Sequence, residues 1–256
     1  MIELLLRIAR KFCRLIEVAL YRLRLVLAGR RAHVDGLTLL LPADVLSTQM
    51  AYLLLSGGID GEDRRLMRRH GRPGDFLLNL GGGSGLSAMA AYRCIQPGGR
   101  VLAVEPDAAV LDLARRNFEL NGLAAIATVR GAAVADPTTH EVTFYKKRNY
   151  YGSNLFNTDG AGTPQTVPAV YPPDLLPKDW PGRKVLLCDI EGVEAAMLAK
   201  PEIVACFDLI MVELHMGLFP KDAVSPYVKM FDVLDEQGFR VIDTDDEVFV
   251  FARQSP

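Results

Sequence analysis

Three observations predict an α/β fold on a mostly parallel, doubly wound sheet. Apolar runs of strand length alternate with helical patterns from residue 76 to residue 237. A glycine-rich turn joins the first run to its helix. The last two runs are separated by a few acidic residues only, which makes an antiparallel hairpin and not a crossover. The runs number seven, so the expected architecture is a Rossmann-like, doubly wound, mostly parallel seven-stranded sheet with a C-terminal antiparallel hairpin.

The elements follow in order. Residues 1–33 read as a basic amphipathic N-terminal helix. Arg7, Arg10, Lys11 and Arg14 recur at i, i+3, i+4 and i+7 and form one stripe, while Leu5, Ile8, Phe12, Leu15 and Ile16 take much of the remaining circumference. Gly29 is the stop signal. Residues 34–74 form an N-terminal strand and helix cap. VDGLTLLL (34–41) is a short strand pair, 47–56 an apolar helix and 62–70 a helix whose Arg64, Arg65, Arg68 and Arg69 read as a solvated face.

Residues 75–256 form the core. FLLNL (76–80), VLAVE (101–105), 126–134, KVLLCDI (184–190) and DLIMVELH (208–215) are strands. Helices lie over 86–95, 106–120, 194–200 and 223–237 between or after them. FRVIDTD (239–245) and EVFVFAR (247–253) close the sheet. Residues 136–182 interrupt the alternation with Pro, Gly, Asn and aromatics and read as a long functional loop.

Composition bounds the function. The 256 residues are 50% apolar and 23% charged, which is globular and not disordered. Four widely spaced cysteines without a C-x-x-C pair exclude a zinc ribbon or a disulfide scaffold and suit the reducing cytoplasm. Eight basic and two acidic residues give segment 1–33 a net charge of +6. The whole chain carries −2, so the remainder carries −8. An acidic body argues against a nucleic-acid partner. Arg7 interrupts the first apolar run, so that run does not read as a secretory signal. The basic helix has the character of a peripheral segment on an anionic membrane surface, or of a contact with its own domain or a second subunit.

The chemistry begins at FLLNLGGGSG (76–85). A glycine turn between strand and helix lets backbone approach a ligand and points helix N–H groups at it. The next strand ends in Glu105, whose carboxylate can accept two hydrogen bonds from a ribose diol. The pair marks a nucleoside-containing cofactor. A dinucleotide site needs G-x-G-x-x-G/A, and here Gly81 and Gly83 are followed by Leu86 at the third position. S-adenosylmethionine (SAM) has no phosphate and needs only the close turn. The terminal hairpin also favours a methyltransferase sheet over that of a nicotinamide-dependent oxidoreductase.

Five segments then make a specific resemblance. NLGGGSG (79–85), VEPDAAVLDLARRNFELNGL (104–123), AVAD (133–136), DIEGVEAAML (189–198) and VELH (212–215) resemble the FkbM family of class I SAM-dependent methyltransferases over roughly residues 60–250. Asn79, Gly82 and Gly83 stand where that family's glycine motif has Asp, Ala and Asn. The resemblance implies that Asn79, Gly81, Gly82, Gly83 and Gly85 hold the methionine part of SAM, that Glu105 holds the ribose, that Gly131 and Ala132 flank the adenine, and that Asp189 borders the cofactor. It implies methyl transfer, with O-methylation of a small-molecule or glycan hydroxyl as the expected reaction.

Ligands of such sheets bind at the carboxyl ends of the strands. Among four histidines only His215 closes a core strand at that edge, beside Asp189 on the neighbouring strand. Asp189/Glu191 and Glu213/His215 are each spaced by two, which puts each pair on one face if the strands continue. Methyl transfer to a hydroxyl needs alignment of the nucleophile and removal of its proton. His215 as base, with Asp189 and Glu191 as base or substrate orienters, are the candidates. Carboxylates with one imidazole also suit Mg²⁺ or Mn²⁺, but no dedicated ligand spacing appears and no metal is assigned. In the insert, Tyr150, Tyr151, Ser153, Asn154 and Trp180 are candidates to shape the acceptor pocket. The competing readings are a NAD(P)-dependent oxidoreductase and a catalytically silent, membrane-associated protein that keeps the fold.

Overall fold

The computed structural model describes residues 2–56, 61–124, 127–147, 153–156, 160–215 and 225–254; for 2–12, 14–15, 127–129 and 225 it describes the backbone only. The elements are α1 (Ile2–Leu27), β1 (Arg31–Val34), β2 (Leu37–Leu40), α2 (Thr48–Ser56), α3 (Gly61–His70), β3 (Phe76–Leu80), α4 (Leu86–Cys94), β4 (Arg100–Val104), α5 (Ala108–Leu120), β5 (Ala127–Arg130), β6 (Ala133–Val134), β7 (Glu141–Lys146) and β8 (Thr163–Val170). They continue with β9 (Lys184–Cys188), α6 (Glu194–Leu198), α7 (Pro201–Val204), β10 (Leu209–Glu213), α8 (Ser225–Glu236), β11 (Phe239–Asp245) and β12 (Val248–Arg253).

The central sheet has seven strands in the order β11-β12-β10-β9-β3-β4-β5. Adjacent strands from β10 through β9, β3 and β4 to β5 pair parallel, and β12 runs antiparallel to both β10 and β11. This is the Rossmann-like doubly wound sheet with its C-terminal hairpin. The chain winds outward from β3 through β4 to β5, then returns to the other side of β3 as β9. The topological switch therefore lies between β3 and β9, where such sheets open a crevice at their carboxyl edge.

Period-two alternation divides the core. Leu77, Val101, Ala103, Val185, Leu187, Leu209 and Met211 face one side, under α2, α4 and α5 and the β1–β2 hairpin. Phe76, Leu78, Leu80, Val104, Leu186, Cys188, Ile210 and Val212 face the other, under α6, α7 and α8. Burial on both faces is why these strands read as near-continuous apolar runs.

Four expectations change. The third strand, expected over 126–134, is two strands: β5 stays in the central sheet, and β6 leaves it after Gly131 to pair with β8. The expected loop 136–182 contains the antiparallel pair β7–β8, which with β6 makes a three-stranded sheet over a small cluster of Ala133, Phe144 and Val167. The alternation there is broken by Pro164 and Pro168, which are tolerated in a short peripheral sheet.

The arginines of α3 are not simply solvated. Arg64, 5% exposed, pairs with Asp35 at 2.8 Å, and Arg65 and Arg69 reach Asp245 and Asp243 of the edge strand β11. Trp180 lies at the amino end of the sheet, where its Nε1 donates to the Gly74 carbonyl at 2.8 Å and its ring meets Phe76 edge-on. That places it away from the carboxyl edge and removes it from the acceptor pocket.

Candidate functional site

A cleft of about 740 Å³ opens at the switch point. It is lined by Gly81 and Gly83 of the turn after β3, by Val104 at the end of β4 with Glu105 and Pro106 just beyond it, by Ala132, Ala133 and Val134 of β6 and the turn before it, and by Phe144 of β7. Ser153, Asn154 and Leu155 of the insert, with Asp189, Ile190, Glu191 and Val193 after β9, complete it.

Gly81 is where the two central loops come closest. Its φ is +82°, and a Cβ there would stand 1.6 Å from the Asp189 carbonyl oxygen. Only glycine allows that approach. Gly83 also lines the cleft, and its N–H donates to Glu105 Oε2 at 3.0 Å. Gly82 and Gly85 stand behind the lining. A Cβ on Gly82 would press on Ala103, and one on Gly85 would meet Ala114 and Phe118 of α5. They let the turn pack. Asn79 is 1% exposed behind the turn, and among the described residues its Oδ1 has no hydrogen-bond partner.

Glu105 is 6% exposed and accepts two backbone bonds, from Gly83 N–H and from Asp107 N–H at 2.9 Å. Burial pushes its carboxyl up to about 7, against the pull of those two N–H groups. Asp107 caps α5 through Ala109 N–H, and its Oδ1 also receives Lys146 Nζ of β7 at 2.9 Å. Lys146 thus ties the insert to the wall beside Glu105. Ala132 lines the cleft wall, while Gly131 leaves room for Leu111.

Asp189, Glu191 and His215 converge beside this cleft, although not by strand alternation. β9 ends at Cys188 and β10 at Glu213. A turn brings Glu191 back, with Glu191 at φ +54° and Gly192 at φ +102°. A non-glycine residue in that region costs on the order of 1–3 kcal/mol, a strain that concentrates at functional sites. His215 Nε2 lies 3.5 Å from Asp189, 3.6 Å from Glu191 and 3.7 Å from Glu213. Its Nδ1 lies 3.1 Å from Glu194 Oε1, and Glu194 also accepts from the His215 N–H and the Gly192 N–H.

Glu194 is fully buried at the start of α6. It sits inside the DIEGVE segment, yet sequence reasoning assigned it no role: a helical Glu beside apolar residues reads as surface until the fold folds it under His215. Desolvation lowers the His215 imidazolium, but Glu194, Glu191 and Glu213 outweigh it and raise the group to about 9. Burial raises Glu213 in turn. A general base needs the neutral imidazole, and with the group at about 9 the charged form prevails near pH 7. One donor atom each of Asp189, Glu191 and His215 lies within 4.8 Å of the others, a set that can also hold a divalent cation.

Ser153 and Asn154 line the cleft and are held by the hairpin backbone: Ser153 Oγ accepts from Lys147 N–H at 2.9 Å, and Asn154 Oδ1 accepts from Phe156 N–H at 3.0 Å. Tyr150 and Tyr151 lie outside the described residues.

No family model matches the chain. Over 59 residues it is 44% identical to the ribosomal protein L11 methyltransferase of Thermus thermophilus, a stretch covering 23% of this chain and 22% of that protein. The match thus spans about a fifth of that curated relative's length. Among solved structures, it is similar to an rRNA methylase of Clostridium thermocellum (11% identity, 76% of this chain and 95% of that one, TM-score 0.46). It is also similar to an O-methyltransferase of Bacillus cereus solved with S-adenosylhomocysteine (14% identity, 83% of each chain, TM-score 0.43).

Proposed function

We propose that this chain is a SAM-dependent methyltransferase of FkbM type that methylates a hydroxyl oxygen of a small molecule or glycan. One observation carries the reading: a glycine turn and a strand-end carboxylate share a single cleft with a convergent carboxylate–imidazole cluster at the switch point of the sheet.

The residues fit the cofactor. Gly81 and Gly83, both at positive φ and both on the cleft lining, form a bare backbone edge for the methionine end. Glu105 keeps lone pairs toward the cleft for the ribose hydroxyls. Ala132, Val134 and Phe144 supply an apolar wall for the adenine. Asp189 and Glu191 put negative charge where a sulfonium belongs. When bound, SAM supplies an electrophilic methyl and a neutral thioether leaving group.

The chain's own residues then do the rest. Asp189 or Glu191 accepts a hydrogen bond from the acceptor hydroxyl and takes its proton as the new C–O bond forms. His215, charged and held by Glu194, keeps these carboxylates in place. This hands the base role to a carboxylate and makes His215 a positioning residue. Ser153 and Asn154 orient the acceptor. By their titles the similar proteins include ribosomal protein and rRNA methylases. The net −8 outside residues 1–33 and the carboxylates at the rim favour an uncharged hydroxylated acceptor over RNA.

The test is calorimetric titration of the purified chain with SAM, S-adenosylhomocysteine and NADH. Saturable binding of the first two without NADH is expected. Binding of NADH alone would make Glu105 a dinucleotide ligand and the protein an oxidoreductase. Binding without turnover on any hydroxylated acceptor would favour the silent-fold reading.

A further inference from the structure

The N-terminal helix presents an apolar stripe that the fold does not use. On α1, Ile16, Leu20, Leu23 and Leu27 are 46%, 54%, 55% and 77% exposed, and Val26 beside them is exposed as well. Their spacing of i, i+4, i+7 and i+11 puts them on one face. The opposite face holds the helix on the body. Leu25 is buried in the main core, and Tyr21 meets Tyr52 of α2 edge-on at 5.5 Å. The stripe is therefore fixed pointing away from the protein.

Arg22 and Arg24 are exposed on either flank of the stripe, and Arg31 follows just after the helix. Among the described residues, none of the three has a carboxylate partner. The sequence adds Arg7, Arg10, Lys11 and Arg14 upstream and sets only Glu3 and Glu17 against them. A helix of 26 residues is about 39 Å long. Among the described residues no helix is long and apolar enough to cross a membrane.

We propose that α1 lies in the plane of an anionic lipid surface, with Ile16, Leu20, Leu23 and Leu27 immersed and the flanking arginines on the headgroups. An exposed apolar stripe with basic flanks is the pattern of interfacial helices, in which immersed area and attraction to anionic lipid add. Charge selects this occupant over a second copy of the chain. Paired helices place opposite charges beside their apolar seam, whereas two copies of α1 would bring together segments of +6 each. The acidic remainder of the chain, at −8, is repelled by the same surface, so the charge asymmetry orients the molecule helix-down.

The test is flotation of the full chain with phosphatidylcholine vesicles, with and without phosphatidylserine. Flotation with the anionic vesicles, weakened by salt, is expected. Leu20→Glu combined with Leu23→Glu abolishes it and leaves the thermal midpoint unchanged, because both side chains are already exposed. Arg22→Gln and Arg24→Gln each weaken binding about fivefold; these variants and the salt dependence carry the test should the double Glu variant fail to fold. Failure of the intact chain to float with anionic vesicles overturns the proposal. So does a dimer in sedimentation that the double Glu variant dissociates while flotation is absent, since the stripe would then belong to a second copy. None of these readouts depends on methyl transfer.

Discussion

Glu105 carries the most specific expectation at the scale of single residues. Both its oxygens already hold a backbone N–H, and it is deeply buried, so it is a fixed acceptor. Glu105→Ala is expected to weaken SAM binding roughly 10- to 100-fold, the loss of a charged hydrogen bond of about 1.5–3 kcal/mol, measured by calorimetry. Ribose hydroxyls stabilise the ionised form. With the free carboxyl at about 7, affinity in the native protein should fall as pH drops below that value and level off above it. His215 makes a second expectation. Its imidazolium occupies the charge position a divalent cation would take between Asp189 and Glu191, so methyl transfer should be unchanged by EDTA. Loss of turnover on chelation would instead give the three side chains to a metal.

Between elements, two contacts hold the cleft in shape. The β3–α4 turn and the loop after β9 touch at Gly81 and the Asp189 carbonyl. Gly81→Ala combines that clash with a left-handed φ and should cost about 2–3 kcal/mol or more in denaturant unfolding, together with loss of SAM binding. The second contact is Lys146 of β7 on Asp107, the cap of α5; the aspartate is 1% exposed. Lys146→Ala leaves a buried carboxylate short of its cation, with an expected loss of about 1–3 kcal/mol in chemical denaturation. If stability were unchanged, the insert would not be anchored through this pair.

For the whole molecule, the measurable consequence is pH-dependent stability. The folded His215 titrates at about 9, above its unfolded value near 6.5. Its contribution is fully present below about pH 6.5 and is lost as pH rises through 9, on the order of 3 kcal/mol in all. Glu105 and Glu213, both raised by burial, act in the same direction, but they do so from their unfolded values near 4.5 up to about 7. The thermal midpoint should therefore decline steadily toward pH 9. His215→Gln should flatten the part between pH 7 and 9, where His215 titrates alone among the three. A midpoint independent of pH across that window would show that the carboxylates do not hold the imidazolium.

The sheet was legible because its signals are local. Each strand is a run of apolar residues bounded by turn signals, and seven such runs with a terminal hairpin admit few topologies. The glycine turn and Glu105 were legible for the same reason: they sit at fixed offsets from their own strands. What only tertiary structure decided depends on residues far apart in the chain. The carboxylates pressing on His215 come from the loop after β9, from α6 and from β10, and their summed field reverses its expected protonation at neutral pH. The αL turn at Glu191, not strand alternation, aims that carboxylate. The 136–182 segment reads as a loop because its prolines hide the strand period, and its pairing with β6 appears only once β5 ends early. Arg65 of α3 meets Asp245, 180 positions away in the chain. Secondary structure follows short-range pattern, whereas burial and electrostatics are set by whichever groups the fold brings within a few ångströms, and no local window contains them.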